Sequence, residues 1–190
     1  MARPALAQQE FPDLEPGAIR SAYEAARAGW TTVPESVKHA FLVAEDKTFR
    51  RRAPSRSTIT ASIASWYPEP GGRQSFPVAI AIARALAPDE ILDWFVHGSF
   101  LGQGCFGAGR ASQAYFGKEA ARLDLHEAAL LAALVADPAA LGRDPARVRD
   151  RRNYILSVMA EEGFVPREDA EAAALRSLSL RDPLGECLPE

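Results

Sequence analysis

Three observations predict a mainly α fold. Apolar residues recur at helical spacing: Val37, Ala40, Phe41 and Ala44 fall at i, i+3, i+4 and i+7. Pro and Gly stand where such helices would start and stop. No series of alternating, strand-like segments interrupts them. At 190 residues the chain has room for one ordinary domain with a real core. Its 47% hydrophobic and 25% charged residues belong to a folded globule and not to a disordered chain.

Each element has its own signal. Residues 1–16 read as irregular, and 17–29 as a short helix ended by Gly29. Pro34 fits the first turn of the helix that carries the Val37–Ala44 stripe. His39 falls on its surface. Residues 50–57 form a basic loop and 58–66 a helix; Tyr67 to Gly72 is a turn cluster. Phe76 to Leu86 is apolar enough for a buried helix. The next helix, 88–97, buries Ile91, Leu92, Phe95 and Val96. The segment 98–109 holds five glycines but neither the nucleotide P-loop nor the dinucleotide fingerprint, so it reads as a close-packed turn. His97 at its edge reads as a hydrogen-bonded structural histidine.

Helices are expected at 110–118 and 124–136, with Leu130, Leu131 and Leu134 inward and His126 exposed. A further helix at 145–162 turns Val148, Ile155, Leu156 and Met159 inward and Arg149, Arg151 and Arg152 to solvent. A last helix covers 166–176. The organisation is an N-terminal extension over 1–31, a domain over 32–176 and a loose tail over 177–190.

Charge is unevenly placed. The net charge is −3, yet residues 47–84 hold seven basic residues against one acid, Glu69. A local positive field on an acidic protein favours one anionic ligand site over nucleic-acid binding. Two cysteines, Cys105 and Cys187, do not make a disulfide framework and leave the redox compartment open. No apolar run reaches the length of a membrane span, and the start lacks the apolar core of a signal peptide.

The stretch 41–60, FLVAEDKTFRRRAPSRSTIT, concentrates the chemistry. Glu45 and Asp46 end an apolar helix. Arg50, Arg51, Arg52 and Arg56 follow, then Ser57, Thr58 and Thr60. Arginine forks bind phosphate oxygens bidentately, and a carboxylate beside them takes or gives a proton. Each part also has a plain structural reading: a solvated helix end, a wet basic loop and a helix N-terminus.

Three stretches together resemble the peptidoglycan glycosyltransferases of family 51. Ala44-Glu45-Asp46-Lys47-Thr48-Phe49 is similar to the motif E-D-x-x-F-x-x-H-x-G. Ser57-Thr58-Ile59-Thr60 is similar to G-x-S-T-I-T-Q-Q. The run from Asp89-Glu90-Ile91-Leu92 to Tyr115-Phe116-Gly117-Lys118 resembles E-I-L-E-x-Y-L-N, a glycine-rich segment and Y-F-G-K. The departures are specific. Arg52 stands for the family's histidine, Pro54 for its glycine and Ala61-Ser62 for its Gln pair, and the segment between the first two motifs is shortened. The third motif, R-K-x-x-E, supplies a second catalytic glutamate; here Pro77 or Ser75 falls on it, depending on the anchor. The near carboxylate is Glu69.

The resemblance implies a lysozyme-like helical fold and enzymes that polymerise lipid II into glycan strands. It makes Glu45 the catalytic residue, a general base on the acceptor sugar hydroxyl. It implies substrate binding by Asp46, Phe49, Arg52, Arg56, Ser57, Thr58 and Thr60. The leaving pyrophosphate is neutralised by arginines or by a divalent cation such as Mg or Mn; no metal ligands are assigned. The implied partners are lipid II or another undecaprenyl-pyrophosphate-linked glycan, the membrane surface and cell-wall synthesis proteins. The implied location is the extracytoplasmic face of the bacterial membrane, although family members carry an N-terminal anchor and this chain shows none. A non-catalytic relative that binds a glycan or a lipid pyrophosphate is the alternative. A glycan-cleaving enzyme needs a partner acid that the sequence does not name.

Overall fold

The computed structural model describes residues 14–67 and 76–187. Among the described residues ten α-helices follow in order: α1 (Pro16–Arg27), α2 (Glu35–Asp46), α3 (Thr58–Ser65), α4 (Phe76–Ala85), α5 (Pro88–Gly98), α6 (Ala108–Phe116), α7 (Leu125–Ala133), α8 (Ala140–Arg143), α9 (Pro145–Glu161) and α10 (Arg167–Ala174). Short 3-10 turns occur at Phe49–Arg51, Pro54–Arg56 and Ala120–Arg122. Among the described residues there is no strand, only one isolated bridge between Phe100 and Phe106. The mainly α expectation holds. The turn cluster expected from Pro68 to Gly72, with Glu69, Arg73 and Ser75, lies outside the described residues.

The chain divides into two compact units. One takes its described residues from Met1–Trp30 and Asp46–Gly98, the other from Thr31–Glu45 and Ser99–Leu188. In the first unit, α1 and α3 each pack on α4 and α5. Pro at the N-terminal turn of α1 fixes its start. Its buried Ile19 and Tyr23 share one face, and Tyr23 meets Trp94 of α5 edge-on at 5.8 Å between ring centres. Arg20 on the same helix makes a bidentate pair with Glu90, at 2.5 and 3.1 Å, and donates to the Ala85 carbonyl. Glu90 also accepts from the Ala87 backbone N–H at 2.8 Å, so one carboxylate ties α1 to the start of α5.

In the second unit α7 is the centre. His126 to Ala133 are all buried, as expected of a helix packed on every side. It lies against α6, α9 and α10. His126 is therefore a core residue at 3% exposure and not the surface residue expected from its place near the helix start. Burial penalises the charged ring and depresses its pKa. Asp124 and Glu127 set the start of α7: Glu127 Oε2 accepts from the Asp124 backbone N–H at 2.8 Å.

Arg152 is a second correction. It was expected to face solvent but is fully buried on α9. Its guanidinium donates to the carbonyls of Ala174 and Arg176 at 2.9 Å and of Ser177 at 3.3 Å. The last carbonyls of a helix lack intrahelical partners, and a cation there also meets the negative end of the helix dipole. Arg152 so closes the end of α10. Arg151 is half-buried, its Nη2 donating to the Ala44 carbonyl at 3.1 Å. Of the three arginines read as outward, Arg149 alone is exposed.

The glycine-rich segment is a close-packed turn, as expected. Gly102 has φ +86°, and a Cβ there would clash with the Pro138 carbonyl and the Tyr115 hydroxyl. That hydroxyl donates to the Leu101 carbonyl at 2.7 Å, and burial pushes the phenol up to about 12. Between Arg181 and Cys187 the tail, expected to be loose, is held by backbone bonds. Arg181 N and Gly185 N donate to the carbonyls of Tyr115 and Ala114, both at 2.8 Å. Cys187 N donates to the Gln103 carbonyl at 2.9 Å, and Cys187 is disulfide-bonded to Cys105. Gly104 sits where this tail crosses, and a Cβ would meet the Cys187 carbonyl at 2.5 Å. Two cysteines 82 residues apart gave no pairing signal in sequence because spacing alone carries no geometry.

Candidate functional site

The sequence motif 45–60 resolves into two kinds of residue. Asp46 is buried, at 9% exposure. Its Oδ1 accepts from the Thr48 backbone N–H at 3.0 Å and from the Thr48 hydroxyl at 2.6 Å. Its Oδ2 accepts from the Ser57 hydroxyl at 2.8 Å. Ser57 is itself the N-cap of α3 and accepts from the Ile59 N–H at 3.1 Å. Burial alone would raise the Asp46 pKa. The hydrogen bonds from Thr48 and Ser57, with the charge of Arg52 3.5 Å away, outweigh it and hold the carboxyl below its ordinary value. Asp46 is thus a clamp that closes the 46–57 segment onto the start of α3.

Phe49 and Thr60 are fully buried, and the Thr60 hydroxyl oxygen has no hydrogen-bond partner among the described residues. Of the residues implied to bind substrate, Asp46, Phe49, Ser57 and Thr60 therefore lie inside the first unit. Arg52, Arg56 and Thr58 lie on its surface. Arg52 donates to the Thr48 hydroxyl and stays half-exposed. Arg50, next to it, pairs with Asp89 at 2.9 Å. The basic loop read from sequence is two 3-10 turns, and Pro54 starts the second. Glu45, one residue before Asp46 on α2, is half-buried. Adjacent helix positions point about 100° apart, so Glu45 and Asp46 face different surroundings.

Pro77, one of two positions aligned with the family's second glutamate, is exposed in the first turn of α4. His97 is half-buried and stacks on Trp30 at 4.6 Å between ring centres, and His39 stacks on Phe164 at 4.1 Å. Sequence reasoning missed these stacks, since their partners are remote in the chain. It also missed Arg151 and Arg152. Arg152 is in phase with the inward stripe Val148, Ile155, Leu156 and Met159, a signal that favours the core over solvent.

The Asp46 oxygens are already engaged, and among the described residues no three His, Cys, Asp or Glu side chains gather to hold a metal ion.

The clamp makes a testable claim. Replacing Asp46 by Ala is expected to cost about 1–3 kcal/mol, the range for losing buried charge-assisted hydrogen bonds. Because its folded pKa is depressed, this contribution is present above the unfolded value and is lost as pH falls through the folded one. Denaturant unfolding of wild type and Asp46→Ala should show a gap at pH 7 that shrinks below about pH 4. A gap independent of pH would contradict the clamp.

Residues 72–160, from before α4 to the end of α9, match the family model described as transglycosylase. The motif 45–60 lies ahead of that match. A penicillin-binding protein 1A of Rickettsia bellii is 29% identical over 182 residues, covering 79% of this chain and 23% of that protein. A Cupriavidus necator protein provisionally named a transglycosylase is 32% identical over 155 residues, covering 80% of this chain and 58% of its own length. The crystal structure of penicillin-binding protein 1A from Haemophilus influenzae matches with a TM-score of 0.54 at 26% identity, covering 78% of this chain and 17% of that one. The chain thus spans less than two thirds of each relative. Helical fold and these likenesses lead to one assignment: residues 72–160 match the transglycosylase family, family 51 of the peptidoglycan glycosyltransferases, and the chain resembles its members over about four fifths of its length.

Proposed function

We propose that this transglycosylase-family chain binds a lipid-pyrophosphate-linked glycan, of the lipid II type, at a site whose transfer chemistry is impaired. The observation that carries this reading is the exposed pair Arg52 and Arg56 beside a buried Asp46 whose carboxyl is held below its ordinary value. Guanidinium forks match the pyrophosphate oxygens of such a ligand. Thr58, exposed at the first turn of α3, adds a hydroxyl.

In this reading Glu45 is the general base. Its carboxylate takes the proton of the acceptor sugar hydroxyl, the oxygen attacks the donor anomeric carbon, and the bond to pyrophosphate breaks with its electron pair. The arginines neutralise the departing charge. The donor side lacks its acid, since neither Pro77 nor Ser75 ionises usefully. The Cys105–Cys187 disulfide supports work in an oxidising compartment, consistent with the outer face of a bacterial membrane. No helix among the described residues is long and apolar enough to cross a membrane.

The test is binding of farnesyl pyrophosphate by calorimetry at several salt concentrations. Arg52→Ala combined with Arg56→Ala should weaken it by about tenfold or more, the cost of lost charge-assisted hydrogen bonds. The effect should be largest at low salt, where screening is least. Equal affinity of wild type and double variant at every salt concentration would remove the arginines from the site.

A further inference from the structure

We propose that the groove formed by the end of α7 with α8 and α9 binds a small aliphatic carboxylate. It stands apart from the glycosyl-transfer reading. The groove has a volume of about 280 Å³; Ala136, Ala140 and Val148 give it methyl walls, and Asp137, Arg147 and Arg151 give it polar ones.

Arg147 and Arg151 are one turn apart on α9 and so share a face. The Arg151 guanidinium is fixed by its bond to the Ala44 carbonyl at 3.1 Å. Its Nε is buried and has no hydrogen-bond partner among the described residues. A buried N–H without a protein acceptor is uncommon in folded proteins, and this one sits on the guanidinium that lines the groove. Asp137 does not supply it, because both its oxygens are taken by Arg143 Nη2 at 2.5 Å. Arg147 is exposed at the groove.

Two arginines therefore face a groove whose own carboxylate is already neutralised. A planar carboxylate matches a guanidinium fork, one oxygen meeting the Arg151 guanidinium where it lines the groove and the other Arg147. The methyl walls take a short alkyl group, and the volume keeps the ligand compact. Such a carboxylate comes either as a free aliphatic acid or as the C-terminus of a peptide, and the two arms of the test separate them.

The experiment follows the Arg151 Nε–H signal of the nitrogen-15-labelled full chain by NMR at fixed ionic strength. The probes are propionate, N-acetylglycylalanine and inorganic phosphate. Both carboxylates should shift the signal saturably. Arg147→Gln, at an exposed position, should weaken this about tenfold or more. Ala136→Leu, also exposed, should abolish it by filling the groove. Tighter binding of the peptide identifies a chain terminus as the occupant, and tighter binding of propionate identifies a free acid. A shift that does not saturate, one unchanged in both variants, or phosphate binding tighter than either carboxylate would overturn the proposal.

Discussion

Reducing the Cys105–Cys187 disulfide is expected to lower the stability of the second unit by about 2–4 kcal/mol. The bridge joins residues 82 apart, so breaking it returns a long loop's freedom to the unfolded chain. It also frees the tail in the folded state. The amides of Arg181, Gly185 and Cys187 are held on the carbonyls of Tyr115, Ala114 and Gln103, and the disulfide anchors the far end of that strap. Denaturant midpoints with and without dithiothreitol measure the loss, and the double variant Cys105→Ser/Cys187→Ser should match the reduced wild type. Hydrogen exchange should quicken first at the three tail amides. A midpoint indifferent to reductant, with a tail still protected, would show that the strap holds without its bond.

The second large effect concerns turnover. The chain is expected to polymerise lipid II at least about 10²-fold more slowly than an intact family member measured beside it. A positioned acid or base contributes ~10²–10⁴-fold, and in the proposed reading Pro77 or Ser75 stands in place of the donor-side acid. Proline has no ionisable side chain, and serine has no useful acidity at neutral pH. Asp46 does not substitute for it, because Thr48 and Ser57 already hold both its oxygens and keep it ionised. Initial rates within tenfold of the intact enzyme would contradict this account of the site.

How far sequence carried the argument depended on range. The helices were legible because period and punctuation are local: the stripe from Val37 to Ala44, Pro34 before it and Gly29 after α1 each act within a turn or two. What failed was non-local. His126 looked exposed from its position near a helix start, yet α7 is buried on every side by helices that come later in the chain. Arg152 was assigned by residue type, and its three carbonyl partners lie more than twenty residues away. The tail looked loose because its partners, Gln103, Ala114 and Tyr115, are remote and the bonds are backbone bonds that no side-chain pattern announces.

The candidate site was legible in a different way. Residue types in 45–60 pointed to the family, but type did not separate clamp from contact. Asp46 and Ser57 have the chemistry of ligand contacts and spend it on each other at 2.8 Å. Arg52 and Arg56 have the same chemistry and remain on the surface. Only burial and hydrogen-bond geometry distinguish the two sets.

The most direct test of the central claim incubates fluorescent lipid II with the full chain and reads two quantities from one sample: ligand bound at equilibrium, and glycan chains resolved on a gel. Wild type, Glu45→Gln and the Arg52→Ala/Arg56→Ala variant are compared. The account predicts bound lipid II for wild type and Glu45→Gln, weaker binding for the arginine variant, and few or no chains for any of them. Robust chains from wild type that vanish in Glu45→Gln would contradict it, showing a working polymerase with another acid on the donor side, Glu69 being the first to replace.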